Sequence, residues 1–232
     1  MDEVGVRLPI GPPIQMCASM RLGEGISGKK SLTQVIMDKN RLEAFSDGVF
    51  AIVITLLVLD IKIPHIGYQA LPGELVAALP SIASYVLSFI VIGLYWAFHH
   101  FYVDKLKKID GTILFLNILT LLLISFMPFP TSLMGAYPLT PIPVLMYGLT
   151  LIATNLVGLA IIYYMHRHPY LVNEKYAAHF FKELPVYFWV NIPYLIALAM
   201  AFAHPAISYF MFVGILVAVS INLWMRLDRQ AR

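Results

Sequence analysis

The segment RLEAFSDGVFAIVITLLVLDI, from Arg41 to Ile61, decides the fold of this 232-residue chain. Beyond Asp47 it carries no charged residue until Asp60, and most residues between them are aliphatic. A helix of about 20 apolar residues crosses the ~30 Å hydrocarbon core of a bilayer. The segment therefore predicts a membrane-spanning helix whose first turns are polar.

The composition of the whole chain is typical of a membrane protein. Hydrophobic residues make up 59% of it and charged residues 12%, about half of the ~25% expected for a soluble domain. Apolar segments of spanning length recur after the first one, so we predict an all-α membrane protein with six transmembrane helices. Their expected ranges are 42–62, 79–103, 110–132, 142–165, 184–203 and 206–226.

Prolines and short connections shape the predicted helices. Pro128 and Pro130 are expected to kink or end the third helix, because proline cannot donate a backbone hydrogen bond. The fifth and sixth helices are separated by residues 203–205 alone, which predicts a tight antiparallel hairpin. The alternative is one helix kinked at Pro205, about 60 Å long and twice what the bilayer core requires.

The distribution of Lys and Arg predicts the orientation of the chain. Of the 16 such residues, Lys62 alone falls on one side of the predicted membrane. Because cytoplasmic loops are enriched in Lys and Arg, both termini are predicted to be cytoplasmic. We expect a flexible cytoplasmic tail over 1–38, a six-helix transmembrane domain over 39–228 and a short cytoplasmic tail over 229–232.

The first predicted helix has two different faces. At 100° per residue, four residues fall on one stripe, and Phe45 lies close to the same line. These four are Ile52, Thr55, Leu56 and Leu59. Such a stripe either packs against other helices or lines a central axis between helices, and periodicity does not decide between the two. Asp47 points about 140° away from Ile52 and is either a local cap or a partner for neighbouring helices.

A second polar cluster ends the second predicted helix, within LYWAFHHFYVDK. It consists of Trp96, His99 and His100. Because no further ligand stands at metal-binding spacing, we expect hydrogen bonds toward Asp47 or Ser46 rather than a metal site. Asn117 and Asn155, in later helices, are expected to form hydrogen bonds between helices.

The spacing Arg41-x-x-x-Phe45-Ser46-Asp47, followed by AIVITLLVLDI, resembles the signature of the potassium channels related to transmembrane protein 175. The resemblance extends over the six predicted helices, roughly residues 40–226. It implies a cation channel without a carbonyl selectivity filter, in which the first helices of four identical subunits surround the pore. A single copy of the motif resembles the prokaryotic members, in a bacterial or archaeal cell membrane.

Carried over by position, the resemblance assigns roles within the first helix. The hydrophobic constriction corresponds to Ile52, with further apolar rings at Leu56 and Leu59. The hydroxyl group that tunes potassium preference corresponds to Thr55. The motif residues are Arg41, Phe45, Ser46 and Asp47, and a polar network would join the Arg, Ser and Asp to Trp96 and to His99 or His100.

The expected function is a potassium-selective leak channel gated by a hydrophobic constriction. K⁺ is the expected permeant ion, the proton is a second candidate, and no cofactor is expected. No helix carries Arg at every third position, as a voltage sensor would. The alternative is a proton-linked secondary transporter that uses Asp47, His99 and His100 as a relay.

Other classes of function are less consistent with the sequence. The net charge of +3 is small and shows no basic stripe, which argues against a nucleic-acid partner. The chain has no nucleophile elbow, phosphate loop or zinc helix, which argues against an enzyme. The expected partners are three further copies of the chain and membrane lipid.

Overall fold

The computed structural model describes the backbone of residues 38–62, 68–138, 140–174 and 191–231. The N-terminal tail predicted over 1–38 lies outside these ranges except for Asp38, and so does the part of the fifth predicted helix before Asn191. The described residues are mainly helical, as predicted.

The first predicted span is confirmed as helix α1, Lys39–Leu56, which continues as a 3₁₀ turn over Leu57–Asp60. Asp38 caps its start, because the carboxylate accepts a hydrogen bond from the backbone N–H of Asn40 at 3.2 Å. The residues of α1 that are buried in the subunit recur every three or four positions: Leu42, Ser46, Phe50 and Val53. One face of α1 is therefore packed inside the subunit, and the opposite face points outward.

The helices that follow agree with most of the predicted ranges. The second predicted span is helix α3, and the fourth is helix α6, each within two residues of the expected bounds. A short helix, α2, precedes α3 and was not predicted. Their bounds are Leu71–Ala77 for α2, Leu79–Asp104 for α3 and Pro141–Arg167 for α6.

The third predicted span is divided into two helices at its prolines. Helix α4, Gly111–Phe126, is followed directly by helix α5, Pro128–Ala136. Met127 between them keeps helical dihedral angles, so the backbone remains close to helical across the break. Pro128 and Pro130 have no backbone N–H to donate, which accounts for the break in the hydrogen-bond ladder.

The last two helices form the predicted hairpin. Helix α7 is Asn191–Met200 and helix α8 is Pro205–Ala231. The hydroxyl of Ser208 in α8 donates to the carbonyl oxygen of Ala197 in α7 at 2.6 Å. These residues would lie about 16 Å apart in one continuous helix, so the kinked-helix alternative is wrong. Helix α8 continues through Ala231, so the predicted tail over 229–232 begins as helix.

Length and composition identify four stretches of the described chain that could cross a membrane. They are Lys39–Asp60, Leu79–Asp104, Gly111–Ala136 and Pro141–Arg167. Helix α7 and the part of α8 up to Ile221 are apolar but shorter. The structure thus supports four of the six predicted spans on length alone.

Two hydrophobic clusters hold α1 against the other helices. The first surrounds Phe50, Val53 and Leu57 with residues of α3 to α8, including Ile92 and Tyr147. The second surrounds Leu42 with residues at the end of α3, the start of α4 and the end of α6. Because α1 contributes to both clusters along one face, its rotation about its own axis is fixed within the subunit.

Gly135 lies at a close approach between α5 and the start of α3. A Cβ atom added at this position would lie 2.9 Å from the Cα atom of Ser81. We expect Gly135→Ala to lower the free energy of unfolding by about 1–3 kcal/mol, because the two backbones must separate. Gly93→Ala is the control, since a Cβ atom there meets nothing within 4 Å. Equal stability of the two variants, measured by thermal unfolding in detergent, would contradict this packing.

Candidate functional site

The outward face of α1 carries the residues that were predicted to line a pore. The exposed fractions of Ile52, Leu56 and Leu59 are 60%, 44% and 67%, and Phe45 is exposed as well. Together with Thr55, we call these residues the exposed stripe. None of them is buried among the helices that the structure describes, so this face is open to contact with lipid, with another copy of the chain or with water in a pore.

Thr55 has the only hydroxyl group in the exposed stripe. Its Oγ1 donates toward the backbone carbonyl oxygens of Ile52 at 2.8 Å and Ala51 at 3.1 Å. Because the proton is directed at the helix backbone, the oxygen lone pairs remain available on the outward side. Thr55 can therefore offer a neutral oxygen ligand to a cation without first breaking a hydrogen bond.

Ser46 belongs to a buried hydrogen-bonded network on the opposite face of α1. The side-chain amide of Asn117 in α4 donates to Ser46 Oγ at 3.1 Å. The amide oxygen of Asn117 lies 2.7 Å from His99 Nε2 and accepts from the Tyr102 hydroxyl group at 3.3 Å. Asn117 thus ties α1, α3 and α4 together through one side chain.

The predicted network includes Ser46 and His99, and Asn117 connects them. Asn117 had been expected only to form a hydrogen bond between helices, which is confirmed, and its central position was missed. Tyr102 was not predicted at all. The amide side chain within the mainly apolar α4 was the available signal, but its partners depend on how α3 and α4 pack.

A second, more exposed set of contacts joins Asp47 to α3. The indole Nε1–H of Trp96 donates to Asp47 Oδ1 at 2.8 Å. The ring of His100 stacks on Trp96 with centroids 6.0 Å apart. The two adjacent histidines therefore have different surroundings: His99 faces the buried network, and His100 lies beside Trp96 at the surface. Within the ranges that the structure describes, no three His, Cys, Asp or Glu side chains form a metal-ligating group.

Arg41 is not joined to either set of contacts within the subunit. Its side chain is exposed and forms no hydrogen bond or ion pair with the residues that the structure describes. Lys39 instead links α1 to α3, with its Nζ 3.4 Å from a carboxylate oxygen of Asp104. Arg41 lies only about 20° from Ile52 around the helix axis, so it extends the exposed stripe toward the start of α1.

Comparisons with known proteins identify what the chain is similar to. Residues 41–128 match the family described as endosomal/lysosomal potassium channel TMEM175. The chain is 34% identical over 198 residues to a potassium channel of Chryseobacterium sp., which covers 84% of this chain and 96% of the relative. It is 28% identical over 138 residues to the endosomal/lysosomal proton channel TMEM175 of Gallus gallus, covering 59% of this chain and 28% of that protein.

A solved structure is similar over most of the fold. The crystal structure of a lysosomal potassium-selective channel TMEM175 homologue from Chamaesiphon minutus aligns with a TM-score of 0.69 at 28% identity. The alignment covers 79% of this chain and 97% of the other. The family match over residues 41–128 includes the exposed stripe, the buried network around Asn117 and the pair formed by Asp47 and Trp96.

Proposed function

Because the chain belongs to the TMEM175 family of channels, we propose that it forms a potassium-selective leak channel whose pore is lined by α1 of four identical subunits. The exposed stripe is the observation that carries this proposal. Its apolar side chains are outward on a helix whose other face is fixed by two hydrophobic clusters. A fourfold arrangement would turn four such faces toward a common axis and leave the outer helices in contact with lipid.

The proposed subunit has six transmembrane helices in a cell membrane, with both termini in the cytoplasm. Four spans have sufficient length among the described residues, and α7 and α8 would supply the fifth and sixth. The distribution of Lys and Arg favours this orientation, since Lys62 would be the one such residue outside. The start of α1 and the end of α3 would then face the cytoplasm.

Ile52 would form the gate of the pore. Four Ile52 side chains meeting at the axis would exclude water, and a dewetted constriction blocks ions because they would have to lose their hydration. The rings of Leu56 and Leu59 would extend this apolar section toward the outside. A small outward displacement of α1 would allow a partly hydrated cation to pass.

The buried network around Asn117 and the contact between Asp47 and Trp96 would fix the rotation of α1 and therefore the direction in which the exposed stripe points. The buried amide of Asn117 holds Ser46 toward α4 and His99, and Trp96 holds Asp47 from the side. A rotation of α1 would break both sets of contacts at once. Arg41 would then have its partner in a neighbouring subunit or among lipid headgroups, since it is exposed in a single subunit.

Thr55→Val is expected to reduce the preference for K⁺ over Na⁺ while K⁺ flux persists. Valine keeps the shape of threonine but removes the outward oxygen that would help replace water around a cation. The permeability ratio follows from the reversal potential of the reconstituted channel in mixed K⁺ and Na⁺ solutions. An unchanged ratio would remove Thr55 from the selectivity mechanism; Ser125→Ala, which removes a hydroxyl from an exposed position of α4, is the control.

Flux measurements in liposomes test the proposed function as a whole. Purified protein in vesicles loaded with K⁺ should let the ion leave along its gradient, faster than Na⁺ leaves matched vesicles. With a proton ionophore present to compensate the charge that leaves with K⁺, flux should rise with the gradient and require no coupled substrate. Protein-free vesicles and vesicles with heat-denatured protein provide the baseline, and equal leakage from all of them would refute a channel.

A proton-linked secondary transporter remains the second candidate. The name of the Gallus gallus relative, a proton channel, supports proton permeation through the same pore more directly than coupled transport. His99 is buried beside Asn117 and Tyr102, where a relay residue would be held. Saturable K⁺ flux with a fixed stoichiometry to protons would favour the transporter over the channel.

A further inference from the structure

Two connecting segments meet where α3 ends and α4 begins. After α6 the chain forms a 3₁₀ turn, Pro169–Leu171, and then pairs antiparallel with the chain between α3 and α4. The backbone N–H of Lys107 donates to the carbonyl oxygen of Leu171 at 2.7 Å, and the N–H of Asn173 donates to that of Lys105 at 3.0 Å. We call this place, residues 105–108 together with 167–173, the junction.

The inner side of the junction is buried, which fixes its shape. Leu106, Leu171 and Val172 are fully buried and belong to the hydrophobic cluster that also contains Leu42 of α1. Because backbone hydrogen bonds and apolar packing both hold these residues, the side chains that point outward from the junction occupy a defined surface.

Three cationic side chains at the junction are exposed and form no hydrogen bond or ion pair with the residues that the structure describes. They are Lys107, Lys108 and Arg167. Two further described lysines at this end of the bundle are engaged inside the subunit. The Nζ atom of Lys39 lies beside the carboxylate of Asp104, and that of the buried Lys105 donates to the carbonyl oxygen of Phe101 at 3.0 Å.

The nearest carboxylates along the chain do not neutralise these three cations. Asp110 accepts from the hydroxyl group of Tyr164 at 2.7 Å and from the backbone N–H of Ile113 at 2.9 Å. Glu174 is exposed, and no ion pair joins it to a cation of the described part of the chain. The junction therefore presents positive charge that attracts a negatively charged partner.

Exposed tyrosine rings favour a lipid as that partner. Tyr163 and Arg167 are four residues apart on α6, so they share one face of the helix, with Tyr163 one turn nearer the centre of the span. Tyr163 and Tyr170 are both more than half exposed. Tyrosine is enriched where a membrane meets water, because its ring is apolar and its hydroxyl group polar, and Lys and Arg side chains reach from there to the headgroups.

We propose that Lys107, Lys108 and Arg167 form a binding surface for a phospholipid with a negatively charged headgroup. The three cations contact the phosphate, which an Arg can hold through two N–H groups and a Lys as a point charge. Tyr163 packs beside the glycerol and the upper part of an acyl chain, which a free phosphate ion lacks. The surface rests on the proposed transmembrane arrangement of α3 and α6 and does not depend on the pore.

Competition between two lipids tests this surface. Native mass spectrometry of the protein in micelles that contain equal amounts of phosphatidylglycerol and phosphatidylcholine shows which lipid is retained, and the parent should prefer phosphatidylglycerol. Lys108→Gln should lower this preference about fivefold, and the triple change Lys107→Gln, Lys108→Gln and Arg167→Gln should abolish it. Lys62→Gln is the matched control, because it removes an exposed cation at the opposite end of the proposed spans; its preference should equal that of the parent.

The substituted side chains make no polar contact within the described part of the subunit, so the variants should unfold at the temperature of the parent in lipid-free micelles. A parent that retains both lipids equally would overturn the surface. So would equal losses of preference in Lys108→Gln and Lys62→Gln, which would indicate a general effect of charge. Displacement of the lipid by sodium phosphate at the same concentration would make the junction a site for free phosphate instead.

Potassium flux from proteoliposomes separates this inference from the proposed function. A parent that conducts K⁺ but shows no preference for phosphatidylglycerol would overturn the lipid surface alone. A parent that keeps the preference but conducts no K⁺ would support the lipid surface and refute the channel.

Discussion

Ile52→Asn is expected to raise K⁺ flux by roughly tenfold or more, which corresponds to a barrier about 1.4 kcal/mol lower. Ile52 is 60% exposed and makes the outward face of α1 apolar at the proposed constriction. Four amide groups at the same level would retain water and offer oxygen ligands, so a dewetted barrier would no longer form. Potassium release from proteoliposomes measures the change directly.

Val58→Asn is the matched control for this substitution. Val58 is also exposed, at 47%, and lies on the same span, in the 3₁₀ turn that continues α1, but it is not part of the exposed stripe. The control introduces the same amide outside the proposed pore lining, and its flux should remain close to that of the parent. Unchanged flux in Ile52→Asn would remove Ile52 from the gate, and equal increases in both variants would indicate a general leak.

Asn117→Ala is expected to cause the largest loss of stability among the polar positions. It would leave Ser46, His99 and Tyr102 without the amide that they share, and all three are buried. Hydrogen bonds inside membrane bundles contribute ~0.6–1.7 kcal/mol each, so three of them predict a loss of about 2–5 kcal/mol. Unfolding by a denaturing detergent in mixed micelles measures the difference.

Thr120→Val is the control for a polar residue on the same helix. Thr120 Oγ1 donates to the carbonyl oxygen of Leu116 within α4, so its removal breaks no contact between helices. We expect a change well below 1 kcal/mol, because the carbonyl oxygen retains its backbone partner. Equal losses in the two variants would show that Asn117 does not join the helices as its distances indicate.

The sequence predicted the helices that have strong local signals. The span beginning near Arg41 follows from its length and lack of charge, and the break near Met127 follows from Pro128 and Pro130. The hairpin before Pro205 follows from the bilayer thickness, which one long helix would exceed twofold. Helix α2, Leu71–Ala77, was missed because seven residues that contain Pro72 and Gly73 show neither a clear period nor a spanning length.

The division of the polar residues into two sets could not be predicted from spacing. His99 and His100 differ by 100° around α3, and only one of them can face the interior. Helix α3 is apolar on all sides, so its sequence does not indicate an inward face. That face is fixed by tertiary packing, in which Ile92 and Val103 are fully buried on the same side as His99.

The exposed stripe on α1 could be predicted as one face of the helix. Periodicity selects Ile52, Thr55, Leu56 and Leu59 as one face, and the structure places them outward. Arg41 and Asp47 lie about 120° apart on the helix, and among the described residues it is Trp96 that contacts Asp47.

The number of subunits tests the central claim most directly, because a single α1 cannot enclose an axis. Native mass spectrometry of the protein released from lipid nanodiscs gives this number without reference to ion flux. We predict a complex of four copies of the 232-residue chain, retained in the Ile52→Asn variant. A monomer as the sole species in nanodiscs would contradict a pore lined by α1.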